Sequence, residues 1–301
     1  MKTDRFAILA LLLVSFFWGT TYLALRIGVS NLPPFLFTGL RMTIAGVIMG
    51  AVFLVAGRRQ KQTYTIRFIG VNALAGVMFF SLGVGMVGWA EKIIPSGLAA
   101  LICSLPPVWL VLINVFILKI EKLNRVIIFG ILLGLTGMII VFHEHLADLT
   151  VASYQFAILV TVLSNISWVG ASIIVKQAKT AANPIFNSSV QMLAGGLVLL
   201  LLSAIFERQL TVTWTREGVY ALIYLITFGS MVAFAAYNYA LARLPITLVS
   251  MHTYANVLVA IALGSLLLHE MINGLIIAAI LITLTGIYFV NLGLKLNKHV
   301  A

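Results

Sequence analysis

WAEKIIPSGLAALICSLPPVWLVLINVFILKIEKLNRVIIFGILLGLTGMIIV, residues Trp89–Val141, decides the fold. It holds two apolar runs, each long enough to cross a bilayer, whose hydrocarbon core takes about 20 residues of helix. The charged knot Lys119-Ile120-Glu121-Lys122 separates the runs, and Pro95 and Pro106-Pro107 interrupt the first. Such a stretch is a membrane hairpin and not part of a soluble core.

The pattern returns near the C-terminus. Pro95 recurs as Pro245, Ala90 as Ala240, Trp18 as Trp168, Pro34 as Pro184 and Gly46 as Gly196, all 150 positions on. After a slip of one residue, Glu121 recurs as Glu270 and Gly137 as Gly286. Matches spaced over a whole half read as a tandem duplication, with repeats at 1–150 and 151–301.

Composition agrees. Hydrophobic residues make up 62% and charged residues 9%, against roughly 25% charged in soluble domains, which leaves a polytopic membrane protein. The one cysteine, Cys103, lies inside an apolar run and can form no internal disulfide. The start, MKTDR before an apolar run, resembles a signal peptide. The run continues past Leu23 without a small-residue cleavage site, so it reads as a retained first helix.

Apolar segments fall at 6–28, 35–56, 67–89, 97–118, 126–142, 153–175, 185–206, 218–241, 247–268 and 274–293. The expected fold is therefore all-α and integral to the membrane, with ten transmembrane helices. With both termini in the cytoplasm, fourteen of the 19 Lys and Arg residues lie inside; only Arg26, Lys92, Arg208 and Arg216 lie outside, and Arg41 falls within the second helix. That is a positive-inside bias. It accounts for the net charge of +11 as a topology signal, with no nucleic-acid partner. Five helices per repeat is an odd number, so the second repeat enters from the opposite side. Inverted five-helix repeats are the architecture of secondary transporters, with a midplane solute site and alternating access.

The segment from Ala90 onward resembles the repeat unit of the EamA family of the drug/metabolite transporter superfamily. The resemblance rests on Pro95, the small residues Ser96–Ala100, Pro106-Pro107, Glu121 and the Gly130/Gly134/Gly137 series, together with Phe17-Trp18-Gly19 in the first helix. It covers both halves, although Asn256-Val257 stands in the second where Pro106-Pro107 stands in the first. It implies a ten-helix, basket-like transporter of the bacterial inner membrane, exporting amino acids or other small metabolites. The pattern is specific for family and silent on cargo and direction: importers or facilitators of drugs, amines or sugars share the architecture.

A polar group facing lipid is costly, so polar and aromatic residues at mid-helix depth are the candidates for substrate binding. Trp18 and Tyr22 share a face of the first helix. Asn165, Trp168 and Ser172 share one of the sixth, and His252 and Asn256 one of the ninth. Phe79, Ser104 and Tyr237 lie on the third, fourth and eighth helices. Together they describe a cavity for a zwitterionic or amphipathic metabolite. The alternatives are helix packing for the rings and interhelical hydrogen bonding for the amides and imidazole. Trp89 and Tyr239 fit interfacial anchoring. Arg41 fits snorkelling, a backbone carbonyl or an anionic group equally well.

Gly83-Val84-Gly85-Met86-Val87-Gly88 spells a dinucleotide fingerprint, but no strand precedes it, so close helix packing is the better reading. Gly46/Gly50 and Gly130/Gly134 have packing spacings, within one chain or between chains, so a monomer and an oligomer both stand. His143-Glu144-His145 looks like a metal cluster, yet it lies at a helix end without a fourth ligand and reads as a solvated loop. Hydrolytic and ATP-binding motifs are absent, and no cofactor or metal is expected. A membrane enzyme would need clustered carboxylates or a basic site near the lipid surface, and a receptor or scaffold would need no duplication. All eight acids fall at helix ends or in loops. His252 is then the core group for proton coupling, with facilitated diffusion the alternative.

Overall fold

Prolines and short polar side chains set where the helices begin. The computed structural model describes residues 4–56, 65–119, 123–144, 150–178, 183–250, 252–253, 256–259, 263, 266 and 274–300. Helix α1 (Arg5–Asn31) starts on Asp4, whose Oδ1 accepts from the Phe6 and Ala7 N–H groups at 3.0 and 3.3 Å. It stops at Leu32, extended as the residue before a proline must be. Helix α2 (Pro34–Ala56) begins with proline, where the missing N–H costs nothing. Its next two donors, the Phe35 and Leu36 N–H groups, bind the two oxygens of Glu207 at 2.9 Å each, so its cap comes from the end of another helix.

Helix α3 (Ile66–Ala90) starts on Thr65 and widens into π turns over Val77–Gly85. The next crossing is broken. Helix α4 (Ser96–Ile102) ends because Pro106 has no N–H for the Ile102 carbonyl, and α5 (Pro106–Leu112) resumes after the break, continuing in π turns to Ile117. Lys119 closes it with a φ of 54°, the left-handed conformation that ends helices.

Helices α6 (Arg125–Glu144), α7 (Ala152–Gln177) and α8 (Pro184–Phe206) follow. Helix α9 (Arg216–Arg243) carries a further π stretch at Leu225–Val232. The short α10 (Ile246–Val249) and the long α11 (Gly274–Val300) complete the chain.

Among the described residues seven spans are long and apolar enough to cross a membrane, namely α1, α2, α3, α7, α8, α9 and the broken crossing of α4 with α5, while α6 and α11 hold shorter apolar stretches, Arg125–Gly134 and Ile277–Val290. The protein is thus an all-helical integral membrane protein among its described residues. The expected segments coincide with helices except the ninth, 247–268, much of which lies outside the described residues, as do Glu121, Lys122, His145, Glu270 and the side chains of His143 and Glu144. Leu12, Phe16, Val55, Phe116, Leu201 and Tyr220 are exposed, as expected of surfaces that meet hydrocarbon.

Helix α2 packs along α8, and α6 along α11. Both pairs approach at backbone distance. A Cβ on Gly46 would stand 2.9 Å from the Leu193 nitrogen, and one on Gly130 would stand 2.5 Å from the Gly286 carbonyl oxygen. Only glycine permits this. Gly85 behaves alike: a Cβ there would run into Leu199 of α8, the close packing expected of it, whereas one on Gly88 would make ordinary contacts.

Asp4, Lys176 and Arg243 lie together at one end of the bundle; Glu207 and the start of α2 lie at the other, with Glu91. These ends are named the Asp4 face and the Glu91 face below.

Candidate functional site

The rings of Trp18 (α1) and Trp168 (α7) meet edge to face at 5.2 Å in the middle of the bundle. Trp18 is also approached by the rings of Tyr237 at 5.1 Å and of His252 at 4.9 Å, while Phe79 meets Trp168 at 4.7 Å. Contacts of this kind add about 0.5–1.5 kcal/mol each beyond burial. They form a floor between two unequal spaces. Toward the Glu91 face lies a cavity of about 110 Å³; toward the Asp4 face there is one of about 10 Å³. Trp168, Pro106 and His252 line both.

Hydrogen bonds hold the floor in place. Trp18 Nε1 donates to the Gly229 carbonyl in the π stretch of α9 at 2.9 Å. The Ser172 hydroxyl bonds the Tyr237 hydroxyl at 2.7 Å and donates to the Trp168 carbonyl at 2.8 Å. Asn165 Nδ2 donates at 3.2 Å to the Ile102 carbonyl that Pro106 cannot serve. Oriented so that its oxygen accepts from His252 Nδ1 at 3.1 Å, the Asn256 amide also donates to the carbonyls of Ser15 and His252 at 2.8 Å each. That arrangement places the neutral imidazole proton on Nδ1 and leaves Nε2 as an acceptor.

Below the floor the bundle is closed. Lys176 Nζ donates to the carbonyls of Leu241 and Leu244 at 2.6 and 2.9 Å, tying the end of α7 to that of α9. Asp4 meets Arg243 at 3.4 Å, and Arg243 covers the Tyr239 ring at 3.6 Å. Deeper in, Gln191 of α8 donates to Asn72 of α3 at 2.8 Å and accepts from Asn238 of α9 at 3.0 Å.

Above the floor, Arg41 is 3% exposed, lines the cavity and donates from Nε to the Ser230 hydroxyl at 2.8 Å. Where sequence left snorkelling, a backbone carbonyl or an anionic group open, the hydrogen bond goes to a hydroxyl, and an acid adds its field, since Glu91 interacts with Arg41 electrostatically. Glu91 is at a helix end, as expected, but is 4% exposed: the turn that follows α3 folds it into the bundle. An acid near the core was not anticipated.

Trp18, Tyr22, Asn165, Trp168, His252 and Asn256 all line the larger cavity. Tyr237 lines the smaller one. Phe79 and Ser104 are buried behind the walls, and the residues beside them, Phe80 and Cys103, face the cavity in their place. Sequence reasoning also passed over Thr21, Phe234 and Ser230; Ser230 and Phe234 stand 150 positions on from Phe80 and Val84, which line the cavity. A wider groove of about 590 Å³ lies between α3, α7 and α8, bordered by Trp89 and Phe156 and sharing Ser164 with the cavity. Its walls are apolar apart from Ser164 and Ser167, so it offers a charged solute little to bind. Trp89 packs edge to face on Phe156 at 5.6 Å at its rim. No group of three or more His, Cys, Asp or Glu residues able to hold a metal occurs among the described residues.

An integral membrane bundle with an aromatic, singly cationic cavity is the class these features define. The EamA-like transporter family model matches residues 5–143 and again 155–292, and the chain belongs to that family. It is similar to the uncharacterized inner membrane transporter YedA of Escherichia coli K12, 30% identical over 288 residues that cover 93% of this chain and 90% of that protein. The uncharacterized transporter YoaV of Bacillus subtilis is 25% identical over 93% of this chain and 94% of its own. A chloroplastic WAT1-related protein of Arabidopsis thaliana is 26% identical over 92% of this chain and 67% of its own. One crystal structure superposes with a TM-score of 0.71 at 20% identity, covering 95% of this chain and 97% of its own, and supports the same fold. Family and relatives point to a membrane transporter rather than an enzyme.

Proposed function

We propose that the chain is a secondary transporter of the bacterial inner membrane that exports amino acids or related small metabolites by alternating access. Its plan is ten crossings in two inverted repeats, residues 1–150 and 151–301, with both termini and the Asp4 face in the cytoplasm. The observation that carries this reading is the pair of unequal spaces on either side of one aromatic floor. That is the form of a carrier closed on one side of its midplane site. The nine residues expected at that site divide accordingly: six in the larger cavity, Tyr237 in the smaller, and Phe79 and Ser104 supporting the wall.

Three further features support the plan. The family match falls twice on the chain. The π stretches of α3 and α9 occupy matching places in the two halves. The tightly packed pairs α2 with α8 and α6 with α11 each join matching segments of the two halves. Interrupted helices at corresponding positions are where such transporters build their sites.

Flux of radiolabelled amino acids and amines into proteoliposomes, with and without a pH gradient, tests the reading. Saturable uptake that falls on Trp168→Ala supports a carrier using this cavity. Silence across amino acids, amines, drugs and sugars would sink it in favour of a receptor or scaffold. Coupling is proposed at His252, and an unchanged pH profile of flux in His252→Gln would leave a facilitator.

A further inference from the structure

Arg41 is the one permanently charged residue among the described residues lining the larger cavity. A cation at membrane depth is expensive to desolvate and is kept where it has work to do. Its side chain is built into place. Ser230 takes Nε, which fixes the plane of the guanidinium, and that is its one hydrogen bond among the described residues. A Cβ on Gly229 would stand 2.9 Å from one terminal nitrogen, so the π stretch of α9 yields room for the fork at a glycine. Glu91 supplies a balancing field from the turn after α3 but is not part of the cavity wall. The rest of the cavity is lined by rings, chiefly Trp18, Trp168, Phe80 and Phe234, with the His252 Nε2 acceptor and the Thr21 hydroxyl among the neutral polar groups. Its volume of about 110 Å³ corresponds to roughly 7 to 11 water-sized groups.

We infer that Arg41 is the anion anchor of the cavity, and that the solute, about ten heavy atoms in all, carries a carboxylate at one end and an apolar or aromatic body at the other. A guanidinium fork matches a carboxylate through two parallel hydrogen bonds. The carboxylate then sits toward the Glu91 side of the cavity, and the body lies against the tryptophan pair. This deepens the transporter reading and rests on it for the meaning of binding, but it makes a claim about binding alone.

The test compares matched pairs: phenylacetate against phenylacetamide, and phenylalanine against phenylalaninol. Each is added to the purified full chain in lipid nanodiscs and read by thermal unfolding. The carboxylates are expected to raise the unfolding temperature, while their neutral-ended partners leave it unmoved at the same concentration. Arg41→Gln is expected to lower carboxylate affinity on the order of 100-fold. If that variant fails to fold, Arg41→Lys, which keeps the charge and loses the fork, is expected to lower it about tenfold. Equal stabilisation by both members of a pair, stabilisation by none, or unchanged carboxylate preference in whichever variant folds would overturn the inference. Flux of both members of a pair without carboxylate preference removes the anchor and leaves a transporter. Selective stabilisation without flux of any solute keeps the anchor and removes the transporter.

Discussion

Arg41 and Gln191 stand 150 residues apart, each the eighth residue of a helix that opens with proline, yet they do opposite work. Gln191 spends its amide on Asn72 and Asn238 and thereby joins α3, α8 and α9 on the Asp4 side. Arg41 gives one N–H to Ser230 of α9, feels Glu91 at the end of α3, and faces open space. One corner is filled with neutral amides hydrogen-bonded to one another, and the other holds a cation beside a cavity. Positions 150 residues apart thus do different work: the amide corner is knit shut, and the charged corner faces open space.

The strongest way to break this contrast is Arg41→Gln, which makes the two corners alike. Carboxylate binding, measured by ligand-induced thermal shift, is expected to weaken by about 3 kcal/mol. Next is Gln191→Leu, which strands the Asn72 and Asn238 amides in a buried setting. A loss of about 2 kcal/mol of stability is expected, read as a lower unfolding temperature, with carboxylate preference unchanged. Gly286→Ala tests the seam between α6 and α11, where the new methyl would meet the Gly134 nitrogen at 2.4 Å. Overpacking of this kind costs about 1–3 kcal/mol, and the same assay should show it without any change in selectivity. The smallest effect belongs to Asp4→Asn. The Asp4–Arg243 pair is more than a third exposed, and such pairs contribute about 0–1 kcal/mol. Its loss should leave the unfolding temperature almost unmoved and should matter least at high salt.

The helices were legible because hydropathy, prolines and caps mark them directly, and the Trp18–Trp168 encounter because the internal repeat pairs those positions. The burial of Glu91 was not, since hydropathy locates a helix end without saying where the next turn goes. Phe79 and Ser104 show why the site was only partly readable. Each was chosen for lying on a helix with a counterpart in the other repeat, and in each case the adjacent residue, Phe80 or Cys103, is the one that arrives at the cavity. Phe79 lies in the π stretch of α3 and Ser104 in the break before Pro106. A periodicity of 3.6 assigns the wrong side chain wherever the backbone departs from it. The role of Ser230 was hidden for the same reason, within the π stretch of α9.

Those wide turns also make chain length itself a variable. A π turn accommodates one more residue than an α turn, and each residue of an α-helix advances the side chains by about 100°. Closing the wide turn within Leu225–Val232 into ordinary α-helix with every residue kept would swing everything after it through that angle. Tyr237 would leave Ser172, and Asn238 would leave Gln191, with neither residue altered. The wide turn takes up a residue that an α-helix would convert into rotation, and its width keeps Tyr237 and Asn238 on their partners.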